Sequence, residues 1–221
     1  MIQPPPFWFG GPWVELVYTS IIVILCFLVY FKTKELYALT KHKGIKYFRT
    51  AFLLFGLAYA SRLLTYLIMM GHIVLDYMMP RPWLMGLSMM VMSYLSTMAM
   101  VYLIYSTIWK RFRSLGFLLI ANSVAVSLFA ISFFTRSLEL ITFVQFLLLI
   151  ATVIISTILH RKDKMLSNTR VLYILVSLFW LLSLFIAGPM RFRFFELEFI
   201  LRIVSIAIFA IIYHRVSKWT I

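Results

Sequence analysis

Apolar runs of about twenty residues recur along the whole chain, separated by short polar and basic stretches. Each run is long enough, or nearly so, to cross a hydrocarbon core of roughly 30 Å at 1.5 Å per residue. The pattern predicts seven spans: about 13–31, 47–71, 83–109, 115–134, 138–159, 171–187 and 196–213. The sixth is the shortest. The expected fold class is therefore all-α, a polytopic membrane bundle filling residues 1–221 as one domain, with no soluble domain attached.

Charge orients these spans. Lys32, Lys34, Lys41, Lys43 and Lys46 fall between the first two runs, and Arg49 at the start of the second. Lys110, Arg111 and Arg113, then Arg161, Lys162, Lys164 and Arg170, then Arg215 and Lys218 fall on the same side by alternation. Positive residues stay cytosolic during insertion, which predicts an outside N-terminus and a cytosolic C-terminus in the cell membrane. In a soluble chain, a net charge of +14 would point to nucleic acid. Here the basic residues sit between spans, so topology and anionic lipid account for them and no nucleic-acid partner is expected. Lys41, Lys43, Lys46 and Arg49 are the expected contacts for anionic lipid or for a cytosolic or membrane signalling partner.

Punctuation agrees with this division. Pro4-Pro5-Pro6, Gly10-Gly11-Pro12, Pro80-Arg81-Pro82 and Gly188-Pro189 all fall outside the predicted helix interiors. In the first cytosolic loop, Thr33 is placed to cap a short separate helix through Lys41, with Gly44 ending it. A faint repeat aligns residues 102–110 with 210–218, matching Tyr105 to Tyr213 and Lys110 to Lys218. It permits a 3+1+3 arrangement of parallel helix triplets, which some transporters use.

The seven acidic residues sharpen the picture. Only Glu35 and Asp163 belong to the cytosolic side; Glu15, Asp76, Glu139, Glu196 and Glu198 lie near the outer ends of spans. Arg62 lies about 15 residues into its span, roughly 22 Å from the cytosolic boundary at helical rise. A guanidinium there costs several kcal/mol if it faces lipid, so it must point inward to a partner. Glu198 and Arg202, four residues apart, share a helix face in the favourable order. Two readings remain open. In one, Arg62 and Arg202 are tied to Glu15, Glu196 or Glu198 as a structural network. In the other, the two arginines line an outward-facing pocket for an anionic or polar ligand.

Thr142, Gln145, Thr152 and Ser156 form a polar stripe along the fifth span, with Gln145 the candidate to extend such a pocket. Ser93, Ser96 and Thr97, and Asn122 and Ser123, are placed to face it. Most of the 13 methionines fall between Met69 and Met100, and Met85, Met89 and Met92 share a face able to offer thioethers to Cu(I). Methionine is also a common filler of apolar cores. No histidine pair within a span has metal-ligand spacing, and Cys26 is the only cysteine. No cofactor is expected.

Catalytic constellations are missing: no Gly-x-Ser-x-Gly elbow, phosphate loop or acid–base pair within a span is present. The sequence therefore predicts a non-enzymatic sensor, receptor-like or scaffold module with a charge-paired pocket in the outer half. A small-molecule or ion transporter and a membrane enzyme acting on lipid are the alternatives.

Overall fold

A computed structural model describes residues 12–75, 81–109, 115–135, 139–160, 167–187 and 195–218. They form helices α1 (Pro12–Thr40), α2 (Lys43–Leu75), α3 (Arg81–Ile108), α4 (Leu115–Thr135), α5 (Glu139–His160), α6 (Ser167–Ala187) and α7 (Phe195–Ser217). No strand occurs among the described residues. Each helix coincides with one apolar run. Five of them, α1, α2, α3, α5 and α7, are long and apolar enough to cross a membrane, and α4 and α6 carry shorter apolar segments. Large apolar side chains such as Leu119, Phe143 and Ile203 are left exposed on the outside of the bundle, where a bilayer solvates them without cost. The architecture is that of a multi-pass membrane protein.

The helices pack in a closed order. α1 contacts α2 and α7, α2 contacts α3, α3 contacts α5, α5 contacts α6, and α6 contacts α7. α4 leans on α3 and α5 from outside this six-membered ring. Aromatic rings from α2, α6 and α7 fill the middle. Phe55 meets Trp180 at 4.5 Å and Phe179 at 5.4 Å, and Phe209 meets Phe179 at 4.8 Å and Phe52 at 5.8 Å. The residual cavity beside them is ≈ 20 Å³ and lined only by apolar atoms. That is room for about one water, in a place that offers it no hydrogen bond.

The first connection differs from expectation. No separate short helix forms after the first apolar run; α1 continues nine residues past Phe31 to Thr40. Nothing between Phe31 and Thr40 breaks a helix, and leaving the apolar region does not oblige the backbone to stop. Thr33 is not a cap: its hydroxyl donates to the Val29 carbonyl, 2.7 Å away, within the helix. The helix ends at Lys41, whose φ of 51° is left-handed and whose N–H bonds the Tyr37 carbonyl at 2.8 Å. Lys41 and His42 alone join α1 to α2.

Gly44 is likewise not a stop. It lies in the first turn of α2, and a Cβ there would sit 2.9 Å from the Trp109 indole nitrogen and 3.1 Å from the His42 ring. Its missing side chain lets the end of α3 close over the hairpin. Gly56 does the same at mid-helix, where a Cβ would come 3.1 Å from Cys26 Cβ, so α1 and α2 approach closely.

Candidate functional site: a buried charge cluster

Three helices bring charge to one end of the ring. Glu15 lies in the first turn of α1, where the helix dipole favours a carboxylate. Arg62 comes from the far half of α2, which the two-residue turn lays antiparallel to α1. Glu198 and Arg202 come from the first two turns of α7. The Glu15 carboxylate is shared: one oxygen pairs with Arg62 and the other with Arg202. Arg202 also pairs with Glu198 one turn before it. The side chains of Glu15, Arg202 and Arg62 are only 9%, 11% and 17% exposed.

Two acids therefore meet two guanidiniums, and the cluster carries no net charge. That balance decides its energetics. An arginine alone at this depth would cost several kcal/mol, whereas a paired one with further hydrogen bonds is tolerated. Aromatic groups complete the shell: Arg202 lies over the Tyr18 ring at 5.6 Å and Arg62 over the Tyr66 ring at 5.8 Å, with a long hydrogen bond of 3.5 Å to the Tyr66 hydroxyl. Arg202 Nε is buried without an acceptor.

Hydroxyl contacts continue inward from the charges. Tyr18 Oη and Ser205 Oγ share a hydrogen bond of 3.0 Å between α1 and α7. Tyr59 Oη donates to Ser183 Oγ at 3.1 Å, crossing from α2 to α6, and the Ser183 hydroxyl donates to the Phe179 carbonyl at 3.0 Å. The Tyr18 and Tyr59 rings stand edge to face, 6.4 Å apart.

Of the residues expected to form the site, the structure joins Arg62, Glu15, Arg202 and Glu198. The side chain of Glu196 lies outside the described residues. Gln145 is bonded elsewhere: its amide donates to Ser96 Oγ at 2.7 Å and to Thr97 Oγ1 at 3.3 Å, tying α5 to α3. The neighbouring Tyr94 hydroxyl donates to Asn122 and so ties α3 to α4. The Thr152 hydroxyl is taken up by the Leu148 carbonyl of its own helix. The side chains of Met85 and Met89 also lie outside the described residues, and Met92 is half-buried in α3. Among the described residues, no group of three or more His, Cys, Asp or Glu is gathered as a metal site.

The expected basic contacts are at the opposite end. Lys41, Lys43 and Lys46 are exposed, while Arg49 is half-buried between Tyr30 and Tyr37. Tyr18, Tyr59, Tyr66, Ser183 and Ser205 were not among the sequence candidates. A signal existed for three of them: Tyr18 follows Glu15 by three residues, Tyr66 follows Arg62 by four and Ser205 follows Arg202 by three, all helix-face spacings.

Fold and cluster together define a class, a helical multi-pass membrane bundle braced by a neutral knot of buried charges. Within that class, the chain belongs to the family of an uncharacterized protein of Archaeoglobus fulgidus. The two are 31% identical over 228 aligned residues, covering 99% of this chain and 97% of the relative. No family model matches the chain. No solved structure matches it.

Proposed function

We propose that this protein is a seven-span, receptor-like module with an outside N-terminus and a cytosolic C-terminus, and that the Glu15–Arg62–Arg202–Glu198 cluster is its ligand-responsive centre. The observation that carries this reading is the sharing of one buried carboxylate by two arginines from two other helices. Glu15 occupies the position that a ligand carboxylate or phosphate would take on the same two guanidiniums. An anionic ligand entering from outside displaces Glu15, keeps the arginines neutralised and releases the α1–α7 contact that Glu15 holds. α1 then carries the change to the basic hairpin at its other end, where a partner reads it. The ligand need only bind the released state better than the closed one. The reading assigns no catalytic step.

Native mass spectrometry of the purified protein tests it. A co-isolated anionic small molecule is expected on the wild-type chain and absent from Arg62→Ala and Arg202→Ala. Wild-type protein that carries no anion, and whose stability does not respond to added carboxylates or phosphates, returns the cluster to a purely structural tie.

A transporter is the second reading, favoured by the ring order. Rotating α1, α2 and α3 onto α5, α6 and α7 reproduces the observed sequence of neighbours, and Tyr59 of α2 bonds Ser183 of α6 across the middle. Parallel triplets rocking about such a centre move substrates in some transporters. Substrate-dependent flux by the purified chain in proteoliposomes would select this reading over the receptor.

A further inference from the structure

The α1–α2 hairpin holds a cation that is solved differently from those in the cluster. Arg49 has no carboxylate partner among the described residues. Its guanidinium lies 5.5 Å from the centre of the Tyr30 ring and 5.3 Å from that of Tyr37. Its Nε is buried and meets no acceptor. Tyrosine faces orient a guanidinium but do not neutralise it. The side chain is thus half-buried, fixed in direction and short of an anion.

Its surroundings repeat the deficit. At ~100° per residue, Tyr30, Lys34 and Tyr37 lie along one stripe of α1, and Lys41 follows the helix's last residue. Lys46 precedes Arg49 by one turn of α2. Lys34, Lys41 and Lys46 are exposed. The nearest acid in sequence, Glu35, lies ~100° from Lys34 around α1 and pairs with Lys32 at 3.0 Å. Tyr30 and Phe31 close the apolar run of α1, so Arg49, level with Tyr30 and Tyr37, sits where a bilayer places its headgroup phosphates. Lys43, by contrast, is ~120° round α2 from Arg49.

We infer that Arg49, oriented by Tyr30 and Tyr37 and flanked by Lys34, Lys41 and Lys46, forms a binding site for the phosphate of an anionic phospholipid headgroup. The guanidinium supplies paired N–H donors to the phosphate, and the lysines supply the charge that selects an anionic headgroup over a zwitterionic one. The site rests on the reading that this end of the bundle meets the cytosolic leaflet. It is independent of any ligand at the Glu15 cluster.

Full-length protein in detergent, titrated with phosphatidylglycerol, phosphatidylcholine or inorganic phosphate and read by native mass spectrometry, tests the assignment. Wild type is expected to retain phosphatidylglycerol over phosphatidylcholine by at least about tenfold. Arg49→Gln should abolish that preference. Lys34→Gln/Lys46→Gln, which changes only exposed side chains, should weaken it even if Arg49→Gln folds poorly, and Lys218→Gln just past α7 should keep it. Equal retention of the two lipids, or a double lysine variant indistinguishable from wild type, overturns the site. Inorganic phosphate that binds with the same Arg49 dependence and displaces the lipid overturns the lipid assignment. Sidedness is a separate measurement: Lys218→Cys labelled by an impermeant reagent only from outside would overturn the orientation, while the detergent result would stand.

Discussion

Arg62 and Arg202 at one end of the bundle, and Arg49 at the other, are the same side chain under two regimes. The first two lie deep and are matched by carboxylates, Arg62 by Glu15 of a neighbouring helix and Arg202 by Glu15 and by Glu198 of its own helix. Arg49 lies at the margin of the apolar region and is held by two tyrosine faces, with no acid partner among the described residues. Depth explains the difference. A charge far from headgroups must carry its counter-ion within the protein, whereas one at headgroup level can leave neutralisation to the surroundings. The deep end is therefore internally closed, and the hairpin end is not.

Removing the shared acid is the most severe way to break this contrast. Among the described residues, Glu15→Ala strips Arg62 of its only carboxylate and Arg202 of one of two, and should lower stability by roughly 3–5 kcal/mol. Thermal unfolding in detergent would show it, and Glu15→Ala/Arg62→Ala should recover part of the loss. A double variant as unstable as the sum of the singles would mean that the pair is not coupled. Gly44→Ala comes next. The added methyl meets Trp109 and His42 at close range and should cost about 1–3 kcal/mol, relieved in part by Trp109→Ala.

Arg49→Ala should cost less, about 0.5–2 kcal/mol of cation–π contact, and Glu35→Ala should leave that cost unchanged. Coupling between Arg49 and Glu35 in a double-mutant cycle would erase the distinction between the two ends. The smallest effect sets the baseline for a neutral buried bond. Tyr59→Phe, which removes the hydroxyl that bonds Ser183, should cost about 0.6 kcal/mol.

Sequence reasoning reached the deep end further than the hairpin. An arginine inside an apolar run demands an acid, and Glu15 and Glu198 were at compatible depth; the Glu198–Arg202 pair follows from spacing alone. The sharing of Glu15 depends on how α1, α2 and α7 meet, which no local pattern encodes. Gln145 looked like part of the same pocket because it is polar at a suitable depth, but the ring places α5 against α3. At the hairpin, hydropathy marks where apolar residues stop rather than where a helix stops, so the extension of α1 to Thr40 was hidden. Gly44 looked like punctuation because the aromatic group it accommodates, Trp109, is far away in the chain.

The two-residue link at Lys41–His42 also bears on assembly. A turn that short lets α1 and α2 pair as soon as both have been synthesised, so Arg62 can enter the lipid already matched to Glu15. Arg202 belongs to α7, made after both of these helices, and its arrival on the second oxygen of the same carboxylate is what joins α7 to α1.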